Sequence, residues 1–284
     1  MSRSTGARMS SITSRRELPP FGVFRAFTQY RSLTLELTKR EILGRYRGAS
    51  FGLLWSLISP FLMLVVYTVA FGYVLKSRWP HSSGSTSDYA LILFMGLIVH
   101  GLFAECMNRA PMLIVSNVNL VKRIIFPLDI LPWPVVLSTL FHSFMNVVVF
   151  ALLMLTVQHH LPWTIVFLPL VFLPLVVLCA GVCWFLSALG VYMRDIGQLT
   201  GVLTTAMLFL SSAIVPVSTL PPKYQFVFRL NPLTFIIDQA RAVSIWGEWP
   251  NFPHLGIYLV VASVTSSLAY LWFRKTQRGF ADVL

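Results

Sequence analysis

Charge is what this sequence has least of. Asp, Glu, Lys and Arg make up only 11% of its 284 residues, against about 25% in a soluble domain. With 56% hydrophobic residues and a mean hydropathy of +0.73, the composition excludes a soluble domain on a single anchor. It describes a chain that crosses a membrane several times. Cysteine is scarce too. Cys106, Cys179 and Cys183 all lie in apolar segments, which excludes a disulfide framework. Cys179 and Cys183 share a helix face with no His or carboxylate near them in sequence, so they read as small packing residues rather than metal ligands. No G-x-x-x-x-G-K-[ST] stretch exists to cradle phosphates, so the chain lacks the chemistry of ATP hydrolysis. Nor is there a series of acids through the apolar runs, as proton or sodium coupling would need. The one candidate is Glu105, a helical turn from Arg109, and the two read as a structural pair. His100, and His142 with Asn146, read as interhelical hydrogen-bonding groups. No cleaved leader is expected, because residues 1–44 hold no apolar core of the needed length.

The charge that is present is unevenly placed. The formal net charge is +12, and ten of the 22 Lys and Arg fall in residues 1–47. Such an excess would suggest nucleic acid in a soluble protein. Here 17 of the 22 fall on one side of the topology that follows, which is the positive-inside asymmetry, and nucleic acid is not an expected partner. Residues 1–20 read as a disordered tail. Residues 21–47 read as an amphipathic helix in the cytoplasmic interface, with Arg25, Gln29, Glu36, Lys39 and Arg40 on one arc and Phe24, Phe27, Tyr30 and Leu37 on the other, stopped by Gly44. A soluble helix packed on a partner is the alternative. From Gly48 through Leu75 there is no charge, enough to span a bilayer. Six spans are expected, at about 52–75, 89–108, 135–157, 163–191, 199–215 and 256–273, with both termini cytoplasmic. Pro169 and Pro174 should kink the fourth. Between the last two, residues 216–254 break short apolar pieces with Pro221-Pro222 and Asn231-Pro232, and read as re-entrant or interfacial helices on the outer side. Lys223, Arg229, Asp238, Arg241 and Glu248 lie in that region without an assignable pattern. The expected class is an all-α integral membrane protein, with residues 48–284 as its transmembrane domain.

Four stretches give this architecture a more specific meaning. The first is GRYRGASFGLLWSLISP, from Gly44 to Pro60. Its Arg45, Tyr46, Arg47, Gly52, Leu54, Trp55 and Pro60 resemble the signature of type-2 ABC exporter permeases of the polysaccharide-export group, with Ala49 and Phe51 departing mildly toward other small and apolar residues. The second is Asn119-Leu120-Val121-Lys122-Arg123 followed by Phe126-Pro127, the third Arg194-Asp195-Ile196, and the fourth Pro216, Leu220-Pro221 and Asn231-Pro232. All four occur in the family's order, from about Phe21 to the C-terminus.

The resemblance implies a homodimeric channel in the cell inner membrane, with two separate ATPase subunits docked beneath it. It places ATPase coupling on Asn119, Leu120, Lys122, Arg123 and Phe126, and on Arg194, Asp195 and Ile196. It implies no cofactor on this chain, ATP and magnesium being held by the ATPase, and a lipid-linked polysaccharide, O-antigen above all, as cargo. Arg25, Lys39, Arg40, Arg45 and Arg47 would hold the inner rim among membrane lipids, where guanidinium groups suit a lipid pyrophosphate. A sliding glycan needs repeated weak contacts, and aromatic rings stack on the C–H faces of sugars. Phe51, Trp55, Phe61, Tyr67 and Phe71 in the first span, and Phe209 in the fifth, are the candidates for its path. Each could equally face lipid. Capsule or teichoic acid export, drug export, an ATPase-independent carrier and a membrane-embedded glycan enzyme are the competing functions.

Overall fold

The computed structural model describes residues 27–70, 79, 86–122 and 126–284, and among them there is no strand. The expected tail 1–20, Arg25, Phe71 and Arg123 lie outside the described residues. A helical turn at 27–29 leads into helix α1 (Arg31–Arg45). Five helices are long and apolar enough to cross a membrane: α2 (Trp55–Tyr67) with its flanking turns, α3 (Thr86–Arg109), α5 (Pro132–Val157), α6 (Leu168–Tyr192) and α10 (Phe252–Thr276). Between them lie α4 (Val118–Val121), α7 (Ile196–Phe209), α8 (Pro222–Leu230) and α9 (Pro232–Arg241), and α11 (Phe280–Val283) closes the chain. The expected fifth span is therefore a helix of 14 residues, about 21 Å long and short of a hydrocarbon layer by itself.

The bundle is centred on α3. Its apolar stretch is 72% buried by the rest of the chain, against 11% for that of α2. In a bilayer, apolar side chains gain little by leaving lipid, so close packing and polar contacts must hold helices together. The contact between α6 and α10 follows that rule. A Cβ on Gly181 would lie 2.7 Å from the Ser266 Cα, so only glycine admits this approach. Above it Trp184 meets Tyr270 edge-on at 5.3 Å.

Two local expectations are corrected. Gly44 does not stop the first helix, which runs through Arg45 and caps at Tyr46. The chain turns at Gly48 and Gly52 instead, with φ of 84° and 51°, the left-handed values glycine takes at no steric cost. Pro169 lies in the first turn of α6, where it costs no hydrogen bond, and only Pro174 falls inside. The buried face of α1 carries Thr34 and Thr38 against α5, while Leu35 and Leu43 are exposed. The threonine hydroxyls donate to the Tyr30 and Thr34 carbonyls at 3.1 and 2.8 Å, which satisfies them and leaves methyl groups to pack.

Candidate functional site

The C-terminal end of α1 is fastened to the bundle by a polar cluster. An Arg45 Nη1 donates to Glu105 Oε1 at 2.6 Å and to His142 Nδ1 at 2.9 Å. Arg109 donates to Glu105 at 3.1 Å, to Ser138 Oγ at 3.3 Å and to Glu41. Helices α1, α3 and α5 thus meet at Glu105. Because His142 accepts at Nδ1, its ring proton sits on Nε2, which is buried with no partner among the described residues. The Tyr46 ring stands edge-on to His142 at 5.9 Å. Burial pushes the Tyr46 phenol above its ordinary value, with Arg45 pulling it down and Glu105 adding to the rise. Glu105 and Arg109 form the pair that their spacing predicts, and Arg45 joins it from sixty residues away.

Two hollows open on this cluster. One, about 650 Å³, is bordered by Arg40, Glu41, Arg45, Asn108 and Arg109. The other, about 280 Å³, runs up beside α2 and is lined by Tyr46, Trp55, Ser56, Ser59, Tyr67 and Asn146 among others. The candidate aromatics divide accordingly. Trp55 and Tyr67 border the cleft, whereas Phe51, Phe61 and Phe209 stand exposed on the outside of the chain. Lys39, Arg40 and Arg47 are exposed.

The two candidate coupling segments follow the ends of α3 and α6, which meet at one end of the bundle. Asn119 and Lys122 are exposed, while Leu120 and Phe126 pack against the core. Arg194 and Asp195 are exposed and Ile196 is buried at the start of α7. The connection after α3 touches the end of α6 so closely that a Cβ on Gly190 would lie 2.0 Å from the Pro111 carbonyl oxygen. Tyr192, two residues further on, donates to the Thr276 carbonyl at 3.0 Å.

Two polar sites went unassigned in the sequence. Asp129 Oδ2 accepts from Arg274 at 2.6 Å and Tyr270 at 3.1 Å, and its carbonyl accepts from Trp184 Nε1 at 3.0 Å. Arg241 is fully buried at the opposite end. It donates to the carbonyls of Ile92, Ser212 and Ala213 at 2.9, 2.6 and 2.8 Å and stacks on Trp79 at 4.4 Å. Its signal was present: Leu233, Ile236, Ile237, Ala240 and Arg241 fall on one buried helical face. Where α7 ends, the chain leaves helix geometry and exposes carbonyls, and this arginine satisfies them. No group of three or more metal-ligating side chains occurs among the described residues.

The model of the ABC-2 type transporter family matches residues 32–245. An O-antigen export system permease protein RfbA of Myxococcus xanthus is 25% identical over 91% of this chain and 97% of its own length. One from Klebsiella pneumoniae is 22% identical over 89% and 95%. The polysialic acid transport protein KpsM of Escherichia coli is 26% identical over 82% and 90%. A family match over most of the sequence, on a helical chain with five membrane-length apolar helices, makes this protein a member of the ABC-2 type transporter family.

Proposed function

We propose that this chain is the membrane subunit of an ATP-driven exporter of lipid-linked polysaccharide of the O-antigen kind. The observation that carries the reading is the near full-length similarity to O-antigen export permeases, together with the family match. The chain works as a homodimer in the inner membrane, with both termini cytoplasmic and two ATPase subunits bound below. ATP and magnesium belong to those subunits. They dock on Asn119–Phe126 and Arg194–Ile196, and the tight Pro111–Gly190 contact supports the two segments acting together. The sixth crossing is α7 completed by the non-helical residues that Arg241 caps, a broken helix tolerated because its carbonyls are satisfied by protein. Helices α8 and α9 are then re-entrant elements of the outer side.

The cargo enters near Arg45 and Arg47. Arg45 is half-exposed even while held by Glu105, so one face of its guanidinium remains available to a pyrophosphate. Trp55, Tyr67 and the serines beside them suit the sugar faces and hydroxyls that follow. Phe51, Phe61 and Phe209, exposed on a lone chain, face the channel or the partner protomer once the dimer forms.

Deleting the gene is expected to strand lipid-linked polymer on the cytoplasmic face, and the wild-type chain to restore surface polymer. Replacing Arg45 and Arg47 together with Gln should insert normally and export poorly. Normal export by that variant removes the headgroup role, and unchanged surface polymer in the deletion strain removes the export reading.

A further inference from the structure

The end of the bundle that holds Arg241 contains a third hollow, of about 410 Å³, walled by Trp79, Ser218, Asp238, Trp246 and Glu248 among others. Its construction is specific. A π turn over Ala242–Trp246 ends at Gly247 in the left-handed region, φ 71°, and the Glu248 amide donates back to the Ala242 carbonyl at 2.9 Å. That closure brings an indole and a carboxylate two residues apart to the same wall. Trp79 is 7% exposed, and its ring is held by the Arg241 guanidinium. Arg241 gives three of its five N–H donors to the carbonyls and stands 4.0 Å from Asp238 Oδ1. No Lys or Arg lines the hollow among the described residues.

We propose that this hollow is a saccharide subsite that accepts neutral sugar units and disfavours acidic ones. An indole offers a flat apolar face to the C–H side of a pyranose. A carboxylate only accepts hydrogen bonds, and adjacent sugar hydroxyls supply donors in pairs. The same carboxylates repel a polyanion: Arg241 stands 4.0 Å from Asp238, whereas Glu248 has no cation partner among the described residues. The volume falls within the range of pockets that take small ligands, about 300–1,000 Å³. The subsite rests on the polysaccharide reading above and narrows it, toward neutral polymers and away from sialic acid chains.

The test uses the permease with its ATPase subunits in lipid nanodiscs, titrated separately with mannotriose, with a sialic acid trimer and with calcium ion. Mannotriose should bind the wild-type complex, and Trp246→Ala and Glu248→Gln should each weaken it about tenfold. The sialic acid trimer should show no binding that these variants alter. ATPase capture and thermal unfolding check that each variant is folded, and Asp238→Asn stands in for one that is not. Mannotriose binding that is absent, or unchanged in the folded variants, overturns the proposal. So does a sialic acid trimer lost on the same substitutions, or calcium binding lost in Glu248→Gln without any trisaccharide binding. If any of these occurs while the chain still restores surface polymer, the subsite alone falls. If no polymer depends on the chain, the export reading beneath it falls.

Discussion

Replacing Arg241 with methionine removes a side chain that is entirely inside the protein and holds three carbonyls from two other segments. Methionine keeps much of the length and fills the space, so the cavity is small and the loss is chiefly polar. Each charge-assisted hydrogen bond is worth about 1.5–3 kcal/mol. The stacking on Trp79 contributes about 1–2 kcal/mol in a desolvated site. Desolvating the arginine offsets part of this, and removing one partner from a buried polar set costs about 3–5 kcal/mol overall. At about 2–4 °C per kcal/mol for a chain approaching this size, the unfolding temperature should fall by roughly 6–20 °C. Thermal unfolding of the purified protein at one scan rate, followed by tryptophan fluorescence, measures it. Arg241→Lys should fall between, since one ammonium cannot reach three carbonyls arranged around a planar fork. A midpoint for Arg241→Met within about 2 °C of wild type would refute the reasoning, because that is at most about 1 kcal/mol.

Gly190→Ala forces the Pro111 carbonyl away from a Cβ that would stand 2.0 Å from it, and should lower the amount of ATPase subunit that co-purifies while membrane insertion stays normal. Glu105→Gln removes the anion shared by Arg45 and Arg109; hydrogen exchange of the Arg31–Arg45 amides should speed about tenfold, the Glu41–Arg109 contact holding what remains. Asp129→Asn keeps the shape but loses the charge that Arg274 meets, and because Arg274 is 40% exposed the cost should be about 1 kcal/mol, well below that of Arg241→Met in the same melt.

Composition made the long helices legible, since an uncharged run long enough to span leaves few alternatives. Thus α6 begins and ends within a few residues of the span expected at 163–191. Prolines marked α8 and α9, and Asn231 caps the latter by accepting from the Leu233 amide. What the sequence hid depends on partners far along the chain. Nothing near Gly44 shows that Arg45 will find Glu105, sixty positions away. Thr34 and Thr38 look polar until their hydroxyls turn back on the helix itself. The fifth span was read at full length because its apolar residues continue past Phe209, whereas the chain unwinds there and relies on Arg241. Of the candidate residues, the coupling segments are expected from motif, and the close approach of Pro111 to Gly190 is visible in the structure alone. The Asp129 cluster was missed because an acid, a tyrosine and an arginine spread over some 145 positions leave no spacing to read.

The contact between Pro111 and Gly190 leaves no gap in which either backbone could slide past the other. Mechanically, the connection after α3 and the end of α6 form a clasp, not two independent levers. Through that clasp the central helix is joined to the pair α6 and α10 by backbone packing rather than by long side chains. The joint is therefore one in which the two segments share a single close-packed backbone contact.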